Sequence, residues 1–350
     1  MSDSIKKRYF AASNSAQGFK NYYDRVFDVR KYSKIYIIKG GPGTGKSYFM
    51  KNIAEYAEGL GFSVTYIYCS SDPDSLDGII IEDMKIAVLD GTSPHACEAS
   101  LPGAVENIVN LGDFWNTSVL SGSRKIIESL NAQKSKCFER GYRYLAAYKN
   151  VSDNMEQMIT PHIKFDKIKK FARRFVSSLD SGEGNEEYRL VNSIGMRGRF
   201  GFDTYRESSG IYYEINDYLE TGFFLLRELY RELKCKSADM LLSPNPILCD
   251  RFDAISVLPE NLTFEIGESG RDDVRTINMK RFIDMGEIFT LRSDYRMATR
   301  MRDNICDMAT LEFEKAKKYH FTIEEIYGAA MDFEAKEQFT SDFCKKIFDK

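Results

Sequence analysis

The chain has 350 residues, 49 of them lysine or arginine against 52 aspartates and glutamates, and is 43% hydrophobic and 29% charged. That balance excludes a disordered or fibrous chain, and a net charge of −3 gives no reason to seek a polyanion, so nucleic acid is not favoured. Seven scattered cysteines without a C-x-x-C pair argue against disulfides or structural zinc, and no long apolar run or signal sequence is evident, so a two-domain cytoplasmic protein without a membrane span is expected.

In chain order, the first clear element is KIYIIKG (34–40), a β-branched and aromatic run that reads as a buried strand. It leads into Gly40-Gly41-Pro42-Gly43-Thr44-Gly45-Lys46-Ser47, which satisfies the P-loop pattern G-x-x-x-x-G-K-[ST]. Behind it, Phe49, Ile53, Tyr56 and Leu60 recur at helical spacing, and Gly61 is placed to cap that helix. Strand, glycine-rich turn and helix are the context this motif requires. The glycines let backbone N–H groups converge on phosphates, and the helix amino terminus adds the positive end of its dipole. The expected nucleotide cradle is Gly41, Pro42, Gly43, Thr44, Gly45, Lys46, Ser47 and Tyr48. Lys46 would reach the β- and γ-phosphates, and the Ser47 hydroxyl would ligate Mg²⁺.

A second strand-like run, SVTYIYC (63–69), is followed by an acidic turn from Ser70 to Gly78, and a third, KIAVLDG, carries Asp90 near its end. A buried strand ending in Asp beside such a turn supplies a carboxylate for magnesium. Asp72 or Asp74 could orient or deprotonate an attacking water, although Asp, Pro, Ser and Gly also make ordinary turns. Thr92 and His95, just past Asp90, are candidates for sensing the γ-phosphate; a lone histidine more often has a structural hydrogen bond. Residue 91 is Gly, so the Glu that many ATPases place after the magnesium Asp is missing and vigorous hydrolysis is not expected. No N-K-x-D follows, which favours ATP over GTP. The order of elements implies an α/β fold of the P-loop NTPase type, a mostly parallel sheet with helices on both faces.

The pattern recurs 176 residues on. Ile35 and Tyr36 correspond to Ile211 and Tyr212, and Asp74, Asp77, Ile79 and Gly91 meet Asp250, Asp253, Ile255 and Gly267. Further along, Asn110-Leu111-Gly112-Asp113-Phe114 is matched with Asp284-Met285-Gly286-Glu287-Ile288, an offset of 174. In the 176 register Lys46 faces Gly222, Ser47 faces Phe223 and Asp90 faces Ile266, so the second copy is degenerate, with no phosphate or magnesium ligand. Helices are expected at 125–150 and 160–179 after the first copy, and at 293–319 and 323–348 after the second. The expected division is a nucleotide-binding domain with carboxy-terminal helices at 1–180, a linker at 181–190, and the degenerate domain with its own helices at 191–350. The basic runs Lys164 to Arg174 and Arg292 to Arg300 read as solvated helix faces. Arg197 and Arg199, in the glycine-flanked MRGRFG, are candidates for a lid that clamps transferring phosphates.

The strings IKGGPGTGKS, YCSSDPDSLDGIII, AVLDGTSPH and PGAVENIVNLGDFW together resemble an uncharacterised family of bacterial P-loop ATPases with tandemly duplicated P-loop domains. The resemblance covers the first half. It implies nucleotide roles for Gly45, Lys46 and Ser47, and carries a D-G-T-x-P-H string onto Asp90, Gly91, Thr92, Pro94 and His95. Members often keep a second P-loop, from which this chain departs. The leading expectation is a slow, magnesium-dependent ATPase regulated by a protein partner or by self-association. A small-molecule or nucleotide kinase with an Arg197/Arg199 lid, and a non-hydrolysing ATP-dependent interaction module, are the alternatives.

Overall fold

The computed structural model describes residues 6–94, 97–268 and 274–348. Strands β1 (Lys7–Phe10), β2 (Lys34–Lys39), β3 (Val64–Tyr68), β4 (Leu76–Ile81), β5 (Ile86–Asp90) and β6 (Glu106–Asn110) form one six-stranded sheet in the order β1-β3-β4-β5-β2-β6. Strands β7 (Glu186–Tyr188), β8 (Ile211–Asn216), β9 (Met240–Pro244), β10 (Phe252–Val257), β11 (Leu262–Gly267) and β12 (Arg275–Asn278) form a second in the order β7-β9-β10-β11-β8-β12. The two orders are the same when each strand is replaced by its counterpart. In both sheets three pairings are parallel and two are antiparallel. The sheets are therefore mixed: the apolar run of β4 makes hairpins with both neighbours instead of following a crossover helix.

The 176-residue register holds closely at these hairpins. Val64 pairs with Ile81 as Met240 pairs with Val257, and the ladder slips at Ile67/Tyr68 in one sheet and at Ser243/Pro244 in the other. The 174-residue match fails. Asn110 caps a short turn by accepting from the Gly112 N–H, and its counterpart is Asn278, which accepts from the Lys280 N–H. The offset there is 168, because the second copy is shorter between β11 and β12. Asp284 to Ile288 instead lie beyond that turn.

Six helices matter for the site: α1 (Lys46–Gly59), α2 (Arg124–Ile159), α3 (Phe165–Ser177), α4 (Gly222–Cys235), α5 (Arg292–Gly328) and α6 (Phe333–Phe348). α2 and α5, with 36 and 37 residues, are rods roughly 55 Å long. They run antiparallel, since Arg140 pairs with Glu312 at 2.7 Å while Tyr148, two turns on, meets Arg302. Phe313 lies so close to Gly141 that a Cβ there would come within 2.5 Å of its ring, which brings the rods together. None of the described helices is long and apolar enough to cross a membrane.

Each rod carries the helix after it to the other half. Ile163 bridges Ile283, and Met331 bridges Trp115. The Lys164 N–H donates to the Phe282 carbonyl, as the Asp332 N–H donates to Phe114. Consequently Ile168, Ala172 and Val176 of α3 are buried with Phe223, Leu226 and Phe264 of the second half. Phe343, Cys344 and Ile347 of α6 are buried with Phe49, Ile53 and Val88 of the first. Burying a side chain of this size stabilises by about 1.5–3 kcal/mol, so each half depends on the other's helix.

This exchange crosses the expected division at 1–180 and 191–350, and the supposed linker contains β7. The helical layer is also one-sided. α1 and α6 cover one face of the first sheet, whereas Ile35, Ile37, Ile80 and Leu89 on the other face meet Tyr23, Phe27, Leu190, Val191 and Tyr205, from loops and short helices. The last helical stretch breaks later than 319–323: α5 continues to Gly328, and the Asp332 carboxylate accepts from the Ala335 N–H to start α6.

Candidate functional site

β2 ends at Lys39 and α1 begins at Lys46, so residues 40–45 must reverse direction in a short turn. Gly43 and Gly45 adopt φ of 71° and 75°, which side chains on L-residues rarely tolerate. Thr44 is fully buried and donates to the Gly41 carbonyl at 2.9 Å, closing the turn from inside. Lys46 folds back over it, its ammonium donating to the Gly40 and Gly41 carbonyls, both at 2.9 Å. The result is a helix amino terminus whose first N–H groups and a lysine converge on the head of the sheet.

Asp90 reaches the same place from β5, which lies beside β2 in parallel, Ile38 opposite Asp90. Its Oδ2 stands 3.6 Å from the Lys46 Nζ, and its Oδ1 accepts from the Thr92 N–H at 2.8 Å and hydroxyl at 2.6 Å. Burial pushes the Asp90 carboxyl above its ordinary range, with Lys46 and Thr92 acting against it. Thr92 is thus an orienting partner of Asp90. The Ser47 hydroxyl accepts from the Leu76 N–H at 3.0 Å, tying the end of the acidic turn to α1. His95 lies outside the described residues.

The two acidic-turn candidates are engaged elsewhere. Asp72 Oδ1 is 3.6 Å from the Lys317 Nζ of α5, and the Asp74 carboxylate pairs with Arg197. The hairpin bearing Arg197 and Arg199 is packed down: the Met196 N–H donates to the Ser71 carbonyl at 2.9 Å, and a Cβ on Gly195 would lie 2.5 Å from that same oxygen. Arg199 turns towards the Tyr148 hydroxyl at 3.1 Å and Asp303 at 3.7 Å. Among the described residues, neither arginine forms a side-chain hydrogen bond or ion pair with the 40–47 turn.

The structure adds residues that the sequence did not single out, all brought by the helix exchange or its bridge. Trp115 and Tyr327 pack on Gly41, and the Glu324 carbonyl oxygen packs on Gly43. Burial acts to raise the Glu324 carboxyl, but His320, Lys46 and the Gly43 N–H outweigh it and hold the group below its usual range. The Glu324 carboxylate is thus kept charged beside the turn. Lys336 of α6 comes closest to Gly45. One trace of it was visible: Lys336 interrupts the apolar stripe of Phe333, Phe339, Phe343 and Ile347.

The arrangement can hold a polyanion through turn N–H groups and Lys46, and can offer a carboxylate and a hydroxyl as hard oxygen ligands. No cluster of three metal-binding side chains exists among the described residues. Comparison with protein-family models, with curated proteins and with solved structures returned no match.

Proposed function

We propose that the 40–47 turn is a P-loop that binds Mg·ATP, and that the protein is a slow, partner-regulated ATPase. The observation that carries this reading is the convergence of Lys46 and Asp90, 3.6 Å apart at a helix amino terminus, on a turn shaped by two left-handed glycines. In this reading the N–H groups of residues 43–47 cradle the phosphates, and Lys46 leaves its loop carbonyls for phosphate oxygens. Ser47 and Asp90 would hold Mg²⁺, which needs only one or two protein oxygens when substrate phosphates complete its shell. The ion would neutralise charge developing on the phosphates. Thr92 keeps the Asp90 carboxylate aimed at that position.

Slowness follows from what surrounds the phosphate site. Gly91 supplies no carboxylate after Asp90, and Asp72 and Asp74 are held by Lys317 and Arg197. A partner that draws those two bases away would free a group to orient water. Met297, Met301, Met308 and Leu311 form an exposed stripe on α5, a surface suited to such a partner. If Asp72 and Asp74 stay engaged, the protein is an ATP-dependent binding module instead. Phosphate release from Mg·ATP decides between them. Release that disappears in Lys46→Ala supports the ATPase, binding without release supports the module, and no binding at all refutes the P-loop.

A further inference from the structure

Lys336 is 2% exposed, one of the largest fully buried side chains among the described residues. Its ammonium lies 2.7 Å from where a Cβ on Gly45 would stand, over the Tyr48 ring at 4.9 Å and the Phe333 ring at 5.2 Å. Among the described residues it forms no ion pair; the carboxylate that acts on it, Glu337, does so from beyond ion-pair distance. An ammonium buried without a counter-charge is costly, and two aromatic faces recover only part of that cost.

The other half supplies an internal control. The bridges Trp115–Met331 and Ile283–Ile163 relate α6 to α3 by 168 residues, and in that register Phe333, Phe339 and Phe343 fall on Phe165, Phe171 and Phe175. Lys336 falls on Ile168, which is fully buried beside Phe223 and Phe224 at the start of α4. There the helix amino terminus is already filled, since the Asp217 carboxylate accepts from the Gly222 N–H at 2.6 Å. The same packing position therefore takes an aliphatic side chain where the connection carries its own capping carboxyl group, and a lysine where the connection is glycine-rich and carries none.

We propose that Lys336, delivered by the exchanged helix, is a second cationic ligand for the polyphosphate at the 40–47 turn, so that the phosphate site is complete only when both halves contribute. This rests on the P-loop reading. It identifies the missing counter-charge of Lys336 as a phosphate of the bound nucleotide, and it makes nucleotide affinity depend on the docking of α6.

The test uses the full-length chain, with Mg·ATP affinity measured by calorimetry and nucleotide-free thermal unfolding measured alongside, for wild type, Lys336→Met, Lys336→Arg and Lys46→Ala. Methionine keeps the length and removes the charge. The expected result is that Lys336→Met melts at or above the wild-type temperature without nucleotide, yet binds Mg·ATP at least ~10-fold more weakly, the usual scale for one charge-assisted hydrogen bond. Lys336→Arg should keep affinity within about threefold, because the charge is retained. Lys336→Met binding within about twofold of wild type overturns the proposal. Lost binding accompanied by a lower melting temperature also overturns it, since that pattern marks a packing role. Absence of Mg·ATP binding by the wild type refutes the P-loop reading itself, whereas wild-type binding lost in Lys46→Ala and unchanged in Lys336→Met refutes only the role of Lys336.

Discussion

The two halves build the same junction, a strand entering a helix, and fill it in opposite ways. In the first half six residues, 40–45, connect β2 to α1, with glycines at the positive-φ positions and Lys46 at the start of the helix. In the second, five residues, 217–221, connect β8 to α4; Leu219 and Glu220 take φ of 55° and 54°, and Gly222 stands where Lys46 would be. Asp217 occupies the helix amino terminus, and Glu220 is clamped by the buried Arg302. The second junction is capped by a carboxyl group of its own connection, whereas the carboxyl groups beside the first, Asp90 and Glu324, come from β5 and α5. A helix amino terminus attracts negative charge in either case, so the two junctions differ in whether the connection itself supplies the group that occupies it.

Five substitutions bear on that contrast. The largest effect is expected from Lys46→Ala, which should weaken Mg·ATP binding at least ~100-fold, about 2.7 kcal/mol, whereas Phe223→Ala in the second half should leave it within about twofold. Equilibrium binding on both variants checks this, and equal losses would erase the distinction between the halves.

Next comes the carboxyl group that caps the second junction. Burial raises the Asp217 carboxyl from 3.8 to about 7. The folded chain therefore keeps a proton that the unfolded chain gives up near pH 4. The stability tied to that proton is complete below about pH 4, falls as pH rises towards about 7, and is flat beyond. Asp217→Asn retains an acceptor for the Gly222 N–H and should stabilise the protein by about 2 kcal/mol at pH 8, with little gain near pH 4. Urea titrations at the two pH values measure the difference; an equal gain at both would show that Asp217 is ionised in the fold.

Backbone changes should have smaller effects of opposite sign. Gly43→Ala forces a Cβ to within 2.4 Å of the Glu324 carbonyl oxygen at a positive φ, and should destabilise by about 1–3 kcal/mol while loosening α5 from the turn. Leu219→Gly relieves a left-handed leucine and should stabilise by about 1 kcal/mol. Thermal or denaturant unfolding of each gives the sign, and destabilisation by Leu219→Gly would mean that its side-chain packing outweighs the backbone strain.

Much of the first half was legible in the sequence, because its signals are local. The glycine pattern implies a turn, the spacing of Phe49 and Ile53 implies a helix, and the apolar run before Asp90 implies a strand; all three lie where expected. The 176-residue repeat was legible too, since Asp77 and Asp253 or Ile79 and Ile255 sit on strands of fixed register. The helix exchange was not. The stripe of Phe339, Phe343 and Ile347 shows that α6 is buried on one side, but a stripe carries no information about which sheet it covers. Lys336 escaped for the same reason: a charge on an apolar stripe is an anomaly until its neighbour is known. The L/M-G-acid match misled because a glycine between an apolar and an acidic residue is too short a pattern to fix a register, whereas the capping asparagines Asn110 and Asn278 hold the same place in both sheets.

The most direct test is a calorimetric titration of the full-length protein with Mg·ATP, counting sites. The contrast between a receptive junction and a filled one predicts a single site per chain, abolished by Lys46→Ala and untouched by Asp217→Asn. Two sites per chain, or one that survives Lys46→Ala, would contradict it.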